Sequence, residues 1–240
     1  MRVAEIFGPT VQGEGPSTGT PAVFVRLWGC NLDCSWCDTP YTWDVLGKNG
    51  TVYERDAEST EMTVDQVAAR VVELCGGLEA VATGWSGVVV VTGGEPLLQT
   101  EQLTHLIAAL DPLPIEVETN GTRAPRWDDP RVSYNVSPKL AHAATTRDGV
   151  RPLVLPQFAR LEHSPVVFKF VVADPSDLFE IDDVVDRCEL SPDQVWVMPE
   201  GRDRFTIMDR GTLLAEHVIG RRYRLSTRLH VLLWGDERGR

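Results

Sequence analysis

Six short runs of apolar, largely β-branched residues punctuate the chain: AVFVRLW (22–28), VVVVT (88–92), IEVET (115–119), VSYNV (132–136), VVFKFVV (166–172) and VWVM (195–198), with a seventh near 225–233. Runs of this length read as strands. Their hydrophobicity is nearly continuous rather than alternating, which predicts strands covered on both faces of a parallel sheet. Parallel neighbours need long crossovers, and helical patterns lie where crossovers belong. Thr63 and Gln66 have capping-box spacing, and Val64, Val67, Ala68, Val71 and Val72 form one apolar stripe, so a helix is predicted over 63–75. Weaker helical patterns cover 101–110, 176–188 and 204–218. The alternation predicts an α/β fold with six or seven mostly parallel strands. In 240 residues, 42% of them hydrophobic, one core suffices, so a single domain over 1–240 is expected. The Gly-, Pro- and Thr-rich segments 40–61 and 140–163 are expected to be long loops that cover or build a site.

Three of the five cysteines fall in GCNLDCSWCDT, as Cys30-x3-Cys34-x2-Cys37, directly after the first apolar run. The N-terminus lacks the basic and apolar regions of a secretory signal, and no uninterrupted apolar stretch reaches about 18 residues. A cytoplasmic setting is therefore expected, where clustered thiols favour metal or redox chemistry over disulfides. A structural zinc ion wants four protein ligands, whereas a 4Fe-4S cluster takes one per iron, so three cysteines leave one iron open to an exogenous ligand. A zinc knuckle completed by a distant Cys or His is the alternative. Cys75 and Cys188 stand alone at helix ends, places where a small apolar side chain packs well. A net charge of −12 without a basic tract argues against nucleic-acid and anionic-membrane partners.

Further polar turns sit at strand ends. In TGGEP (92–96) paired glycines let backbone carbonyls approach a ligand, and Glu95 adds an acceptor suited to an ammonium group. ETNGT (118–122) and VSPK (136–139) offer Thr119, Asn120, Ser137 and Lys139 for ribose or carboxylate. Arg26 interrupts an apolar strand just before the cysteine loop, where a guanidinium can clamp a carboxylate bidentately or pair a buried acid.

The cysteine spacing, with Trp36 before the last cysteine and TGGEP beyond, resembles the radical S-adenosylmethionine superfamily. That resemblance implies a full or partial (β/α) barrel with its site at the C-terminal strand ends. It also implies that the open iron chelates S-adenosylmethionine and that an electron from the cluster releases methionine and a 5′-deoxyadenosyl radical. The cofactor contacts it implies are Trp36, Asp38, Thr92, Gly93, Gly94, Glu95, Thr119, Asn120, Ser137 and Lys139.

Within the superfamily, EIFGPTVQGEGPSTGTPAVFVRLWGCNLDCSWCDT, together with TGGEP, ETNGT, VSPK and FKFVV, is similar to the 7-carboxy-7-deazaguanine synthase family over most of the chain. The implied reaction contracts 6-carboxytetrahydropterin to 7-carboxy-7-deazaguanine with loss of ammonia, on the route to queuosine-type bases. It needs no catalytic side chain beyond the cluster and cofactor. The similarity implies a substrate-binding turn over 5–21, a cluster loop over 29–39, and substrate contacts from Gln12, Glu14, Gly15, Arg26, Thr92 and His230. Gln12 and Glu14, two apart in a turn expected to be exposed, have the donors and acceptors to match a pterin edge. Magnesium on Thr39, a homodimer and a reducing partner such as flavodoxin or ferredoxin complete the expectation. Three alternatives stand beside it: an activating enzyme that places a radical on a partner protein, His230 as a core residue of a last strand, and Thr39 as a cap of the turn before Pro40. The 40–61 insertion and the charged tail GDERGR carry no assigned role.

Overall fold

The computed structural model describes residues 1–146 and 149–240. Among them are nine strands: β1 (Arg2–Val11), β2 (Pro21–Leu27), β3 (Thr60–Glu61), β4 (Val88–Gly93), β5 (Ile115–Thr119), β6 (Val132–Val136), β7 (Val166–Val172), β8 (Val195–Pro199) and β9 (Arg224–Leu225). They form one sheet in the order β3-β1-β2-β4-β5-β6-β7-β8-β9. From β2 onward every neighbour is parallel, while β1 pairs antiparallel with both β2 and β3. The expected parallel α/β sheet is present in its open form, with two antiparallel strands added at one edge. The helices are α1 (Arg55–Glu58), α2 (Val64–Leu74), α3 (Leu78–Ala82), α4 (Thr100–Ala109), α5 (Leu155–Ala159), α6 (Asp177–Cys188), α7 (Arg204–Gly220) and α8 (Leu229–Trp234). The capping box of α2 forms in both directions, Thr63 N to Gln66 Oε1 at 2.8 Å and Gln66 N to Thr63 Oγ1 at 3.2 Å. α2 packs on α4, β1 and β2, α6 on β7, and α7 on β8 and β9.

The two faces of the sheet differ in chemistry. Val23, Val25 and Leu27 of β2, Val89 and Val91 of β4, Ile115 and Val117 of β5, Val132, Tyr134 and Val136 of β6, and Phe168 and Phe170 of β7 all enter the core beneath the helices. Residues of the opposite parity face inward. Near the strand starts these are apolar, with Ala22, Phe24, Val88 and Val90 closing a floor against Phe7. Toward the C-terminal ends they become Arg26, Thr92, Glu118, Asn135 and Lys169, which line a cavity. The expectation of strands apolar on both faces therefore holds only for the lower part of the sheet; higher up, a polar interior replaces it.

Other expectations need correction. The N-terminal segment expected as a turn over 5–21 begins as β1, which runs to Val11 and whose polar residues hid its periodicity; the turn proper follows it. The run near 225–233 is not a strand beyond Leu225: RLHVLLW turns into α8, an ambiguity inherent in short apolar runs. His230 thus stands on a helix. The two long loops contain local structure as well, α1 and β3 in the first and α5 in the second.

Candidate active site

The C-terminal ends of β2, β4, β5, β6, β7 and β8 open onto a cavity of about 630 Å³. One wall is the cysteine loop. Gly93, at φ +137°, and Gly94 bring the TGG turn against it: a Cβ on Gly94 would sit 2.2 Å from the Gly29 carbonyl oxygen and 2.8 Å from Cys30 Cβ, so only glycine permits the approach. Backbone bonds from Gly94 N to Leu27 O (3.2 Å) and Glu95 N to Gly29 O (2.8 Å) lock it.

Cys30, Cys34 and Cys37 all line the cavity. Among the N–H groups directed at their sulfurs are Leu32 N, 3.4 Å from Cys30 Sγ, and Trp43 Nε1, 3.3 Å from Cys37 Sγ. Burial pushes the Cys30 thiol up to about 12 and the Cys34 thiol up to about 11, so thiolates at this place call for a strongly cationic partner. A structural zinc ion takes four protein ligands, whereas three thiolates on one loop facing one cavity can each bind a separate iron and leave the fourth open, so this donor set fits a 4Fe-4S cluster. Cys75 and Cys188 lie in the core under the helices, on the other face of the sheet.

Next to the cysteines, Trp36 stacks on His142 at 5.8 Å, and the Lys139 ammonium stands 5.6 Å over the Trp36 ring while donating to Ser137 Oγ at 2.7 Å. Asn120 donates to Asn31 Oδ1 at 3.0 Å. Thr119 reaches Glu95 Oε1 at 2.8 Å and the Asn120 amide reaches Glu95 Oε2 at 2.7 Å, with Leu97 N also on this carboxylate. Glu95 is buried and stands behind the cavity wall, where burial pushes its carboxyl up against these three bonds. It orients Thr119 and Asn120. Thr39, Thr92 and Asp38 line the cavity. The Thr39 hydroxyl makes no capping bond; its backbone carbonyl accepts from Thr42 Oγ1 at 2.8 Å instead.

The opposite wall is a charged network. The turn expected to be exposed is buried: Gln12 is 1% exposed. Its Nε2 donates to Glu116 (2.5 Å) and Glu118 (3.1 Å), and its Oε1 accepts from Gly13 N (2.7 Å) and Glu14 N (3.2 Å). Thr92 Oγ1 donates to Glu118 at 2.8 Å. Lys169 and Arg228 Nε (2.9 Å) both pair with Glu14, and Arg228 also reaches Asp38 and the Gly201 carbonyl (2.8 Å). Burial opposes charge on Glu14, yet the Lys169 ammonium and the Arg228 guanidinium outweigh it and hold the carboxyl well below the usual range. Burial, with Glu118 beside it, pushes Glu116 up to about 7. His230 abuts Gly13, where a Cβ would sit 1.9 Å from its Nδ1, and burial lowers its pKa, favouring the neutral ring. Gly15, at φ +67°, donates to Ser226 Oγ at 3.0 Å. Arg26 Nε pairs with Glu5 at 2.6 Å, and its terminal nitrogens have no partner among the described residues.

Lys169, Glu116, Glu118, Arg228 and Asn135 were not singled out from the sequence. Lys169 carried the signal that marked Arg26, a cation breaking an apolar strand, and the alternation of IEVET and VSYNV marked the others on β5 and β6. Nothing local marked Arg228.

A cysteine loop at the end of one parallel strand, a glycine turn at the end of the next and a polar cavity above them are the arrangement of a radical S-adenosylmethionine protein, and the Radical SAM superfamily model matches residues 28–131. The 7-carboxy-7-deazaguanine synthase of Pyrobaculum aerophilum is 36% identical, covering 100% of this chain and 97% of its own, and that of Bacillus subtilis is 28% identical over 99% and 97%. The crystal structure of QueE from Escherichia coli matches with a TM-score of 0.62 at 26% identity, covering 95% of this chain and 94% of that one. The chain belongs to the 7-carboxy-7-deazaguanine synthase family.

Proposed function

We propose that the chain converts 6-carboxytetrahydropterin to 7-carboxy-7-deazaguanine with loss of ammonia, as a carbon–nitrogen lyase of 7-deazapurine biosynthesis. The observation that carries this reading is the joining, in one cavity, of a three-cysteine wall and a wall of buried carboxylates and cations suited to a small charged heterocycle. When bound, the cluster and S-adenosylmethionine supply the one-electron chemistry that removes a hydrogen atom from the substrate.

This chain's side chains bind and orient. Cys30, Cys34 and Cys37 hold the cluster. Trp36, Asp38, Thr92, the Gly93–Gly94 backbone, Thr119, Asn120, Ser137 and Lys139 surround the cofactor, with Glu95 fixing the 119–120 turn. Arg26, steadied through Nε by Glu5, offers its terminal nitrogens to the substrate carboxylate. Gln12, Glu14, Gly15 and His230 frame the ring system, and Lys169 and Arg228 keep Glu14 ionised beside it. Thr39, whose hydroxyl makes no capping bond and lies 3.8 Å from Cys37 Sγ, would be the magnesium ligand in this reading, beside water and substrate oxygens. A homodimer, a flavodoxin or ferredoxin donor and a cytoplasmic setting complete it. A small-molecule substrate is favoured over a partner protein because the relatives are synthases of a small heterocycle.

The test is anaerobic reconstitution with iron and sulfide, followed by incubation with reductant, magnesium, S-adenosylmethionine and 6-carboxytetrahydropterin. The expected result is 7-carboxy-7-deazaguanine, with 5′-deoxyadenosine formed only when the pterin is present. A cluster-loaded protein that leaves the pterin unchanged refutes the reading.

A further inference from the structure

Asn135 of β6 is 1% exposed and faces the cavity, yet neither its side-chain nitrogen nor its side-chain oxygen has a hydrogen-bond partner among the described residues. Leaving both a buried donor and a buried acceptor unpaired is rare, because each forfeits the hydrogen bonds it had in water. The neighbouring polar groups are already spent. Gln12, the other buried amide, has its nitrogen on Glu116 and Glu118 and its oxygen on two backbone N–H groups. Glu118, directly opposite Asn135 in the β5–β6 register, is taken by Gln12 and Thr92. The substrate-side turn is also shaped around this amide: a Cβ on Gly15 would lie 2.8 Å from Asn135 Nδ2, so only glycine leaves the carboxamide room.

We infer that Asn135 is a substrate-recognition residue, whose carboxamide reads a heterocycle edge presenting one donor beside one acceptor, as the amide-like edge of a pterin does. The inference rests on the pterin reading above and names the group that selects the ring. A carboxamide is self-complementary to such an edge, donating through Nδ2 and accepting through Oδ1. Ligand entry then satisfies two groups that find no partner within the protein among the described residues, which is the arrangement that rejects analogues lacking the matching edge.

The experiment measures equilibrium binding of 6-carboxypterin, a non-reacting analogue, and of S-adenosylmethionine to the reconstituted holoenzyme, with melting temperature read in parallel. Asn135→Ala and the isosteric Asn135→Asp should each weaken pterin binding about tenfold while S-adenosylmethionine affinity stays within about twofold. Asn135→Ala should melt no lower than wild type, because the carboxamide bonds to no other group of the protein among the described residues. Pterin affinity unchanged in both variants overturns the inference. So does a marked loss of melting temperature in Asn135→Ala, which would make the carboxamide a structural group. A wild-type holoenzyme that binds S-adenosylmethionine but no pterin overturns the functional reading, and this inference with it.

Discussion

Glu116→Gln should make the protein more stable in mildly alkaline solution and remove much of its pH dependence. Glu116 is 4% exposed on the inward face of β5 and accepts from Gln12 Nε2 at 2.5 Å and from the Ser17 hydroxyl. Burial and the adjacent Glu118 push its carboxyl from an ordinary 4.5 up to about 7. A raised carboxyl means that the folded chain keeps its proton where the unfolded chain has lost it. Stability is therefore full below about pH 4.5, declines as pH rises toward 7, and stays low above that. At about 1.4 kcal/mol per pH decade, the window from 4.5 to about 7 removes roughly 3 kcal/mol. Glutamine cannot ionise, so that loss is absent from the variant. In a domain of this size the difference amounts to roughly 6–12 °C of melting temperature. Circular dichroism melts of wild type and variant at one scan rate, from about pH 5 to 8.5, read it directly, since other titrating groups cancel in the difference. Glu118→Gln, which removes the neighbouring charge, should shrink the pH dependence of wild type part of the way. A melting-temperature difference that stays constant across the range would refute the argument.

Arg228→Ala should destabilise by about 3 kcal/mol, because it strips a buried cation from Glu14, Asp38 and the Gly201 carbonyl together. Since Glu14 is held below its ordinary value of 4.5, that contribution is present above this pH and fades as pH falls below it; thermal melts check both points, and a loss under about 0.5 kcal/mol would count against the network. Cys75→Ala should leave iron content unchanged, whereas alanine at Cys30, Cys34 or Cys37 should abolish the visible cluster absorption; iron analysis after reconstitution decides. Thr39→Ala should lose stimulation by magnesium while retaining the cluster, and turnover measured with and without the ion shows whether it does.

The parts of the molecule that repeat a local rule were legible. Each parallel strand from 22 to 198 announced itself by β-branched residues, and the helix after Thr63 by its capping box, because those signals live within a few residues of chain. The cysteine loop and TGGEP were legible for the same reason. The antiparallel strand Arg2–Val11 was not: its pairing with Pro21–Leu27 on one side and Thr60–Glu61 on the other is tertiary. RLHVLLW was misread because so short an apolar run satisfies either period, and the choice of helix is made by docking, with Leu229 N on the Gly13 carbonyl at 2.8 Å. Gln12 and Glu14 were found but taken for exposed turn residues. Their burial depends on Glu116, Lys169 and Arg228, which lie about 100 or more positions away in sequence.

Those long-range partners explain why both ends of the chain belong to the site. Arg228 ties the β1–β2 turn to the cysteine loop through Glu14 and Asp38, so the geometry of the heterocycle wall and that of the cluster wall are set by one guanidinium. Glu5 plays a matching part from β1: one oxygen takes Arg26 Nε (2.6 Å) and the Tyr41 hydroxyl (2.7 Å), and the other takes Arg238 of the tail at 3.1 Å. Arg238 also lies over the Tyr41 ring at 3.8 Å and reaches Glu58 of α1 at 2.9 Å. The insertion over 40–61 and the tail, which had no role on sequence grounds, are thereby joined at the cavity mouth by contacts that bear on the same carboxylate that steadies Arg26. A guanidinium is aimed by whatever holds its Nε, and a carboxylate shared among two guanidiniums and a phenol has little freedom to turn. The insertion and the tail therefore act on the proposed substrate clamp through Glu5, at one remove from the cavity floor.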